Sequence, residues 1–158
     1  MTPSPILALY GARVPAPHGW EPVDTGLGGV AAVVEPVDPT APEAFRASLT
    51  LSVEQLGDAD LRTWQASAEA AAASGLLDHR VLDREHTDVA GRPGGRRLAH
   101  HVTPSGAAVV LEQWFVVAGG AGWTLSATVD TARYDLLADE LALSAAAWVV
   151  PDRLEVTA

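Results

Sequence analysis

Residues 44–55, AFRASLTLSVEQ, change character at almost every step: Phe45, Ala47, Leu49, Leu51 and Val53 are apolar, and Arg46, Ser48, Thr50, Ser52 and Glu54 are polar. Successive side chains of an extended chain point to opposite sides, so this period of two specifies a strand with one buried and one wetter face. A strand of that kind is stable only inside a sheet, and the rest of the chain has to supply its neighbours and its cover. Residues 30–34 form a shorter apolar run upstream. The intervening DPTAPEA carries Pro39 and Pro42, which forbid regular structure and mark a loop.

After Gly57 the period lengthens. Asp58 can cap a helix, Leu61, Trp64, Ala68 and Ala72 share one helical face, and Gly75 ends it. Strands are expected at 79–85, 96–103, 107–117 and 123–129, separated by the turn segments GRPGG (91–95), PSG (104–106) and GGAG (119–122). Residues 132–148 return to helical spacing through Tyr134, Leu137, Leu141, Ala145 and Trp148, and Pro151 prevents continuation. This order predicts an α+β fold, a twisted antiparallel sheet of about six strands with a mid-chain helix and a C-terminal helix packed on it. One sheet face is expected to carry the helices and the other to be at least partly open. Residues 12–150 read as one domain, residues 1–11 as an N-terminal tail or edge segment, and residues 151–158 as a C-terminal tail.

Turn lengths then assign side chains to faces. If GGAG closes a hairpin that puts Phe115 and Val117 beside Trp123 and Leu125, the opposite face receives Glu112, Trp114, Thr124 and Ser126. A two-residue loop at PSG adds Leu98, His100 and Val102 to the inner face and Arg97 and His101 to the outer; a one-residue slip reverses that last assignment. The candidate binding face is therefore Trp114, Glu112, Arg97, His101, Thr124 and Ser126, with Arg96 beside them. Trp114 is expected either as an exposed anchor, since Trp ringed by small polar groups and Arg is typical of an interface centre, or beneath the loop at 26–29 or a partner subunit. Trp64, Trp123 and Trp148 fall on inward stripes, and Trp20 follows Gly19 in a loop over a sheet edge.

Composition removes whole classes of chemistry. The 158 residues include 20 acidic side chains and 10 basic ones, all Arg, for a net charge of −10, and there is no Cys. Without Lys there is no Schiff-base or P-loop lysine. Without Cys there is no disulfide framework, thiolate nucleophile, cysteine-rich zinc site or Cys-linked lipid. The negative charge disfavours nucleic acid and anionic membrane as partners, and no apolar run approaches the roughly 20 residues of a membrane span. The apolar segment 6–10 has no basic residue before it, so a cytoplasmic protein is expected.

The remaining constellations are weak. His100 and His101 point to opposite faces of a strand, and His79 and His86 diverge unless a bulge intervenes, so no metal centre is expected even with Glu112 nearby. No G-x-S-x-G elbow occurs, the glycine clusters at 26–29 and 119–122 fit turns better than nucleotide loops, and Asp139 and Glu140 are adjacent on a helix and cannot face each other. No catalytic residue and no cofactor are assigned. Arg92, Arg96 and Arg97, with Arg80 and Arg84, reverse the charge locally; they either neutralise Asp83, Glu85 and Asp88 or grip a carboxylate-bearing partner.

The order of short motifs resembles proteins of the PsbP-like fold, particularly the DcrB-related and LpqN-like bacterial families. The resemblance lies in VPAPHGW at 14–20, DPTAP at 38–42, AGRPGGR at 90–96, QWFVV at 113–117 with its glycine turn and WTL at 123–125, and a helix ending near Leu143 and Ser144. It implies a twisted antiparallel sheet with two helices and mostly non-enzymatic roles: a photosystem subunit, a Ran-binding nucleotide-release factor, envelope lipoproteins, and cytoplasmic chaperones of type VI secretion effectors. Envelope members carry a lipobox Cys that this chain lacks, which sets it beside the cytoplasmic members. The function implied is a protein-binding adaptor, in one form a secretion-associated chaperone holding a protein partner or secreted substrate on its sheet face; a homodimer is compatible with it. The alternative is a carrier of a small apolar ligand such as a lipid, held between sheet and helices.

Overall fold

The computed structural model describes residues 4–155. Strands β1 (Ile6–Leu9) and β2 (Ala12–Pro15) form a separate hairpin, and β3 (Glu21–Val23), β4 (Val30–Val34) and β5 (Ser48–Gln55) lead into helix α1 (Leu61–Gly75). Four strands follow, β6 (Leu77–Val89), β7 (Arg92–Val102), β8 (Ala108–Ala118) and β9 (Ala121–Asp130), before a short 3-10 turn and helix α2 (Tyr134–Ala146). The main sheet has seven strands in the order β3-β4-β5-β9-β8-β7-β6, with every pair antiparallel. The α+β class with a mid-chain and a C-terminal helix is as the sequence indicates. Within residues 1–11 lies β1, whose Leu7 is buried; residues 1–3 and 156–158 of the two tails lie outside the described residues.

The cap of α1 is Asp60, whose Oδ1 accepts a hydrogen bond from the Thr63 amide at 2.8 Å, and not Asp58. A capping carboxylate reaches only the amides two or three residues on, so Asp58 stands too early.

Two hairpin turns correct the expected register. The β8–β9 loop contains only Gly119 and Gly120, with φ of 60° and 74°, and pairs Ala118 with Ala121. Trp114 therefore stands opposite Leu125, and Val116 opposite Trp123. The β7–β8 loop pairs Val102 with Ala108, which sets Arg97 opposite Gln113 and not beside Trp114. Each hairpin differs from the expectation by one residue, and the two differences cancel across β8. Arg97, His101, Thr124 and Ser126 do share a face, but Phe115 and Gln113 accompany them, while Trp114 and Glu112 belong to the other side.

The glycines of GRPGG also act differently from expectation. The turn is Ala90-Gly91, and Arg92 to Gly95 already belong to β7. A Cβ on Gly94 would lie 2.4 Å from the Phe115 carbonyl oxygen, and one on Gly95 2.4 Å from the Phe115 ring. These glycines are there for close packing, not for turning.

The helices lie on opposite faces of the sheet, which corrects the expectation of one helical face. The chain leaves β5 in the sheet's interior and re-enters at its far edge in β6, so α1 has to cross three intervening strands and occupies one face. The chain leaving β9 finds the other face free. There α2 and the β1–β2 hairpin cover Leu49, Leu51, Trp114, Val116, Trp123, Leu125, Ala127 and Val129, with Val14, Leu141 and Trp148 packed on them. Each fully buried large aliphatic side chain contributes about 1.5–3 kcal/mol, so this layer is the stabilising core. Trp20, Trp64, Trp123 and Trp148 are all buried.

Candidate functional site

The α1 face is only partly covered, and its chemistry centres on Arg97. Leu61, Gln65 and Glu69 recur every four residues and so form one line along α1, facing the β6–β7 pair. Arg97 is 5% exposed and donates from Nη1 to Gln65 Oε1 and from Nη2 to Gln113 Oε1, each at 2.8 Å. Its guanidinium carbon lies 5.2 Å from the centre of the Phe115 ring, and Phe115 meets the Trp64 indole edge-on at 6.4 Å. Gln113 Nε2 in turn donates to Ser126 Oγ at 3.0 Å. Glu69 receives Arg84 Nε at 2.7 Å and Nη2 at 3.2 Å, and lies 3.7 Å from Arg97. Burial lowers the Arg97 guanidinium below its ordinary pKa, opposed by Glu69 and reinforced by Arg84. The hydrogen bond from Arg84 pulls the Glu69 carboxyl below the carboxylate range against its own burial.

A groove of about 790 Å³ runs between α1 and the β6–β7 pair, with Leu61, Gln65, Arg84, Arg97 and Phe115 among its walls. Beyond it, the sheet surface over β5 and β9 is a strip of half-exposed hydroxyls: Thr50 and Ser52 pair with Ser126 and Thr124, with Thr128 next in line. His101 is 9% exposed, and its Nδ1 has no hydrogen-bond partner among the described residues. Burial, then repulsion from His101 and Arg97, lowers the pKa of nearby His79. His100 lies on the opposite face from His101, opposite Val110. The irregularity between Val81 and Asp83 lets His86 pair with Gly95, on the face of Phe115. Among the described residues no three His, Asp or Glu side chains converge as metal ligands.

Three of the seven candidate residues are elsewhere. Trp114, expected as an exposed anchor, is 7% exposed beneath α2, because the two-residue β8–β9 turn carries it to the core side. Glu112 is 4% exposed; it accepts from Arg96 Nε at 2.6 Å and from the Tyr134 hydroxyl at 3.0 Å. Arg96 further reaches Asp83 at 3.4 Å and Glu85 at 3.7 Å, so this network is closed on itself and fastens α2 to the sheet. A second fastening has no signal in the sequence: Arg133 donates to Glu35, to Asp130 at 2.9 Å and to the Phe45 carbonyl at 3.0 Å, across a gap of 98 residues to Glu35.

Among the described residues no helix is long and apolar enough to cross a membrane. Neither a protein-family model nor a curated protein matches the sequence. Solved structures match it in fold. The cyanobacterial PsbP, CyanoP, of Synechocystis sp. PCC 6803 superposes with a TM-score of 0.67 at 14% identity over 96% of this chain and 94% of its own. LpqN of Mycobacterium tuberculosis, involved in cell envelope biogenesis, gives 0.62 at 14% identity, covering 93% and 84%. The Ran-binding protein Mog1p of Saccharomyces cerevisiae gives 0.57 at 15%, covering 89% and 84%. These superpositions, over nearly the whole of each chain, assign this chain to the PsbP-like fold.

Proposed function

We propose that this chain is a non-enzymatic protein-binding adaptor that works in the cytoplasm and presents the α1 side of its sheet to a partner. The observation that carries this reading is the asymmetry of the two faces. The α2 side is closed by a helix, a hairpin and the Arg96–Glu112–Tyr134 network, while the α1 side leaves the Thr50, Ser52, Thr124 and Ser126 strip half-exposed beside a groove. Mog1p, which has the same fold, is a Ran-binding protein, and that supports a protein as the partner. In its finer form the adaptor is a secretion-associated chaperone whose partner is a secreted substrate; a second copy of the chain is another partner the surface can take. The test is quantitative affinity capture with the wild type and with Thr124→Arg and Ser126→Arg variants. Loss of the same partners from both variants supports the face assignment, and equal recovery by all three overturns it.

A second reading is favoured by the groove itself, whose volume falls in the usual range for small-molecule sites. In that reading the chain carries a small apolar ligand between α1 and the sheet. Native mass spectrometry decides it: a co-purified mass supports the carrier, and its absence from gently prepared protein counts against it.

A further inference from the structure

Arg97 has an unusual position for a buried cation. Its hydrogen bonds run to the carboxamide oxygens of Gln65 and Gln113, which carry no charge. The nearest carboxylate, Glu69 at 3.7 Å, already holds Arg84 through both of its oxygens. Other arginines that bridge elements of the fold are bonded to carboxylates directly, Arg96 to Glu112, Arg84 to Glu69, and Arg133 to Glu35 and Asp130. Removing a cation from water is costly unless opposite charge is bonded to it, and a guanidinium has five N–H donors where this one uses two. The charge also lies where a ligand can reach it. Arg97 forms part of the wall of the groove, alongside Phe115, Leu61 and Ala66, with the exposed Arg62 and Arg84 at the rim.

We propose that the groove between α1 and the β6–β7 pair binds an organic carboxylate with an apolar tail, the carboxylate against Arg97 and the tail along Phe115 and Leu61. The inference rests on the carrier reading and adds to it the charge that selects the ligand. The side chain that meets the carboxylate is held in place from both sides by Gln65 and Gln113, so little ordering accompanies binding. The groove walls also carry Asp60, Glu69 and Glu85, and Arg84 is taken up by Glu69, so it is Arg97 itself and not a general positive field that selects the anion.

The experiment titrates the 15N-labelled full chain with octanoate and, separately, with octanol, following backbone amides and the arginine Nε–H signals by NMR. Expected are a saturable shift of the Arg97 Nε–H with octanoate, accompanied by Gln65, Gln113 and Phe115, and affinity for octanol weaker by roughly tenfold or more. An Arg97→Gln variant weakens octanoate by a similar factor; where that variant fails to fold, the wild-type Nε–H shift and the octanol comparison decide alone. Octanol binding as tightly as octanoate overturns carboxylate recognition while leaving the carrier reading standing. Absence of saturable shifts at the groove with either compound overturns both.

Discussion

Trp64 packs directly on Gly122: a Cβ at Gly122 would lie 2.7 Å from Cζ2 of the indole. This contact lets α1 approach the β8–β9 hairpin closely enough for Trp64 to meet Phe115. Gly122→Ala is expected to destabilise the fold by about 1–3 kcal/mol, because the indole is wedged against Phe115 and cannot withdraw. Gly75→Ala, at the end of the same helix with nothing within 4 Å of the added carbon, is expected to change stability by less than about 1 kcal/mol. Urea unfolding of both variants checks the contrast; equal losses would show that the Trp64 contact is not the cause.

The same logic applies across β7 and β8. Gly95→Ala places a carbon 2.4 Å from the Phe115 ring, which is a collision with side-chain atoms only on that side. Phe115→Leu removes those ring atoms. The double variant is therefore expected to recover about 1 kcal/mol or more relative to the sum of the single losses. Strict additivity in chemical denaturation would refute the contact.

Trp114 is expected to behave as a core residue. Trp114→Ala should cost about 3–5 kcal/mol, whereas Thr124→Ala on the half-exposed strip should stay within about 0.5 kcal/mol. Thermal melts of the two variants separate the assignments, and a mild effect of Trp114→Ala would return that side chain to the surface.

Stability should fall with acid in two stages. His79 is lowered below its ordinary value, so the unfolded chain takes up that proton first and stability declines as pH drops below about 6.5. Burial pushes Glu35 up, but hydrogen bonds from Arg133 and the Ala47 amide outweigh it and leave the carboxyl below its ordinary value. Glu69 is lowered too, chiefly by Arg84. The stability from these two carboxylates is present above about pH 4.3 and is lost as pH falls through their lower folded values. Urea midpoints measured from neutral to strongly acidic pH should show both stages. His79→Gln should flatten the upper one and Glu35→Gln the lower; an unchanged profile in either variant contradicts that assignment.

The alternation of residues 44–55, the helical spacing after Gly57 and the glycine turns made the α+β order readable in one dimension, because each is a repeat over a few neighbouring residues. The candidate site was readable only in part. Arg97, His101, Thr124 and Ser126 share a face through two compensating one-residue differences in turn length, whereas Trp114 and Glu112 lie on the other side. Face assignment inverts with a single residue of turn length, and only the Ala118–Ala121 pairing across Gly119 and Gly120 decides it. Gln65 and Glu69 carry no signal of a role in the sequence, because only the placement of α1 across the sheet brings them to Arg97 and Arg84.

What the sequence determined by itself is local: where strands and helices form, which chemistries lack their side chains, and that arginine gathers between Arg80 and Arg97. The tertiary structure alone decided which of those arginines is hydrogen-bonded to a carboxylate and which to neutral groups. Arg96 and Arg97 are neighbours in the chain, yet the pleat sends one to Glu112 beneath α2 and the other to two neutral carboxamides beside an open groove.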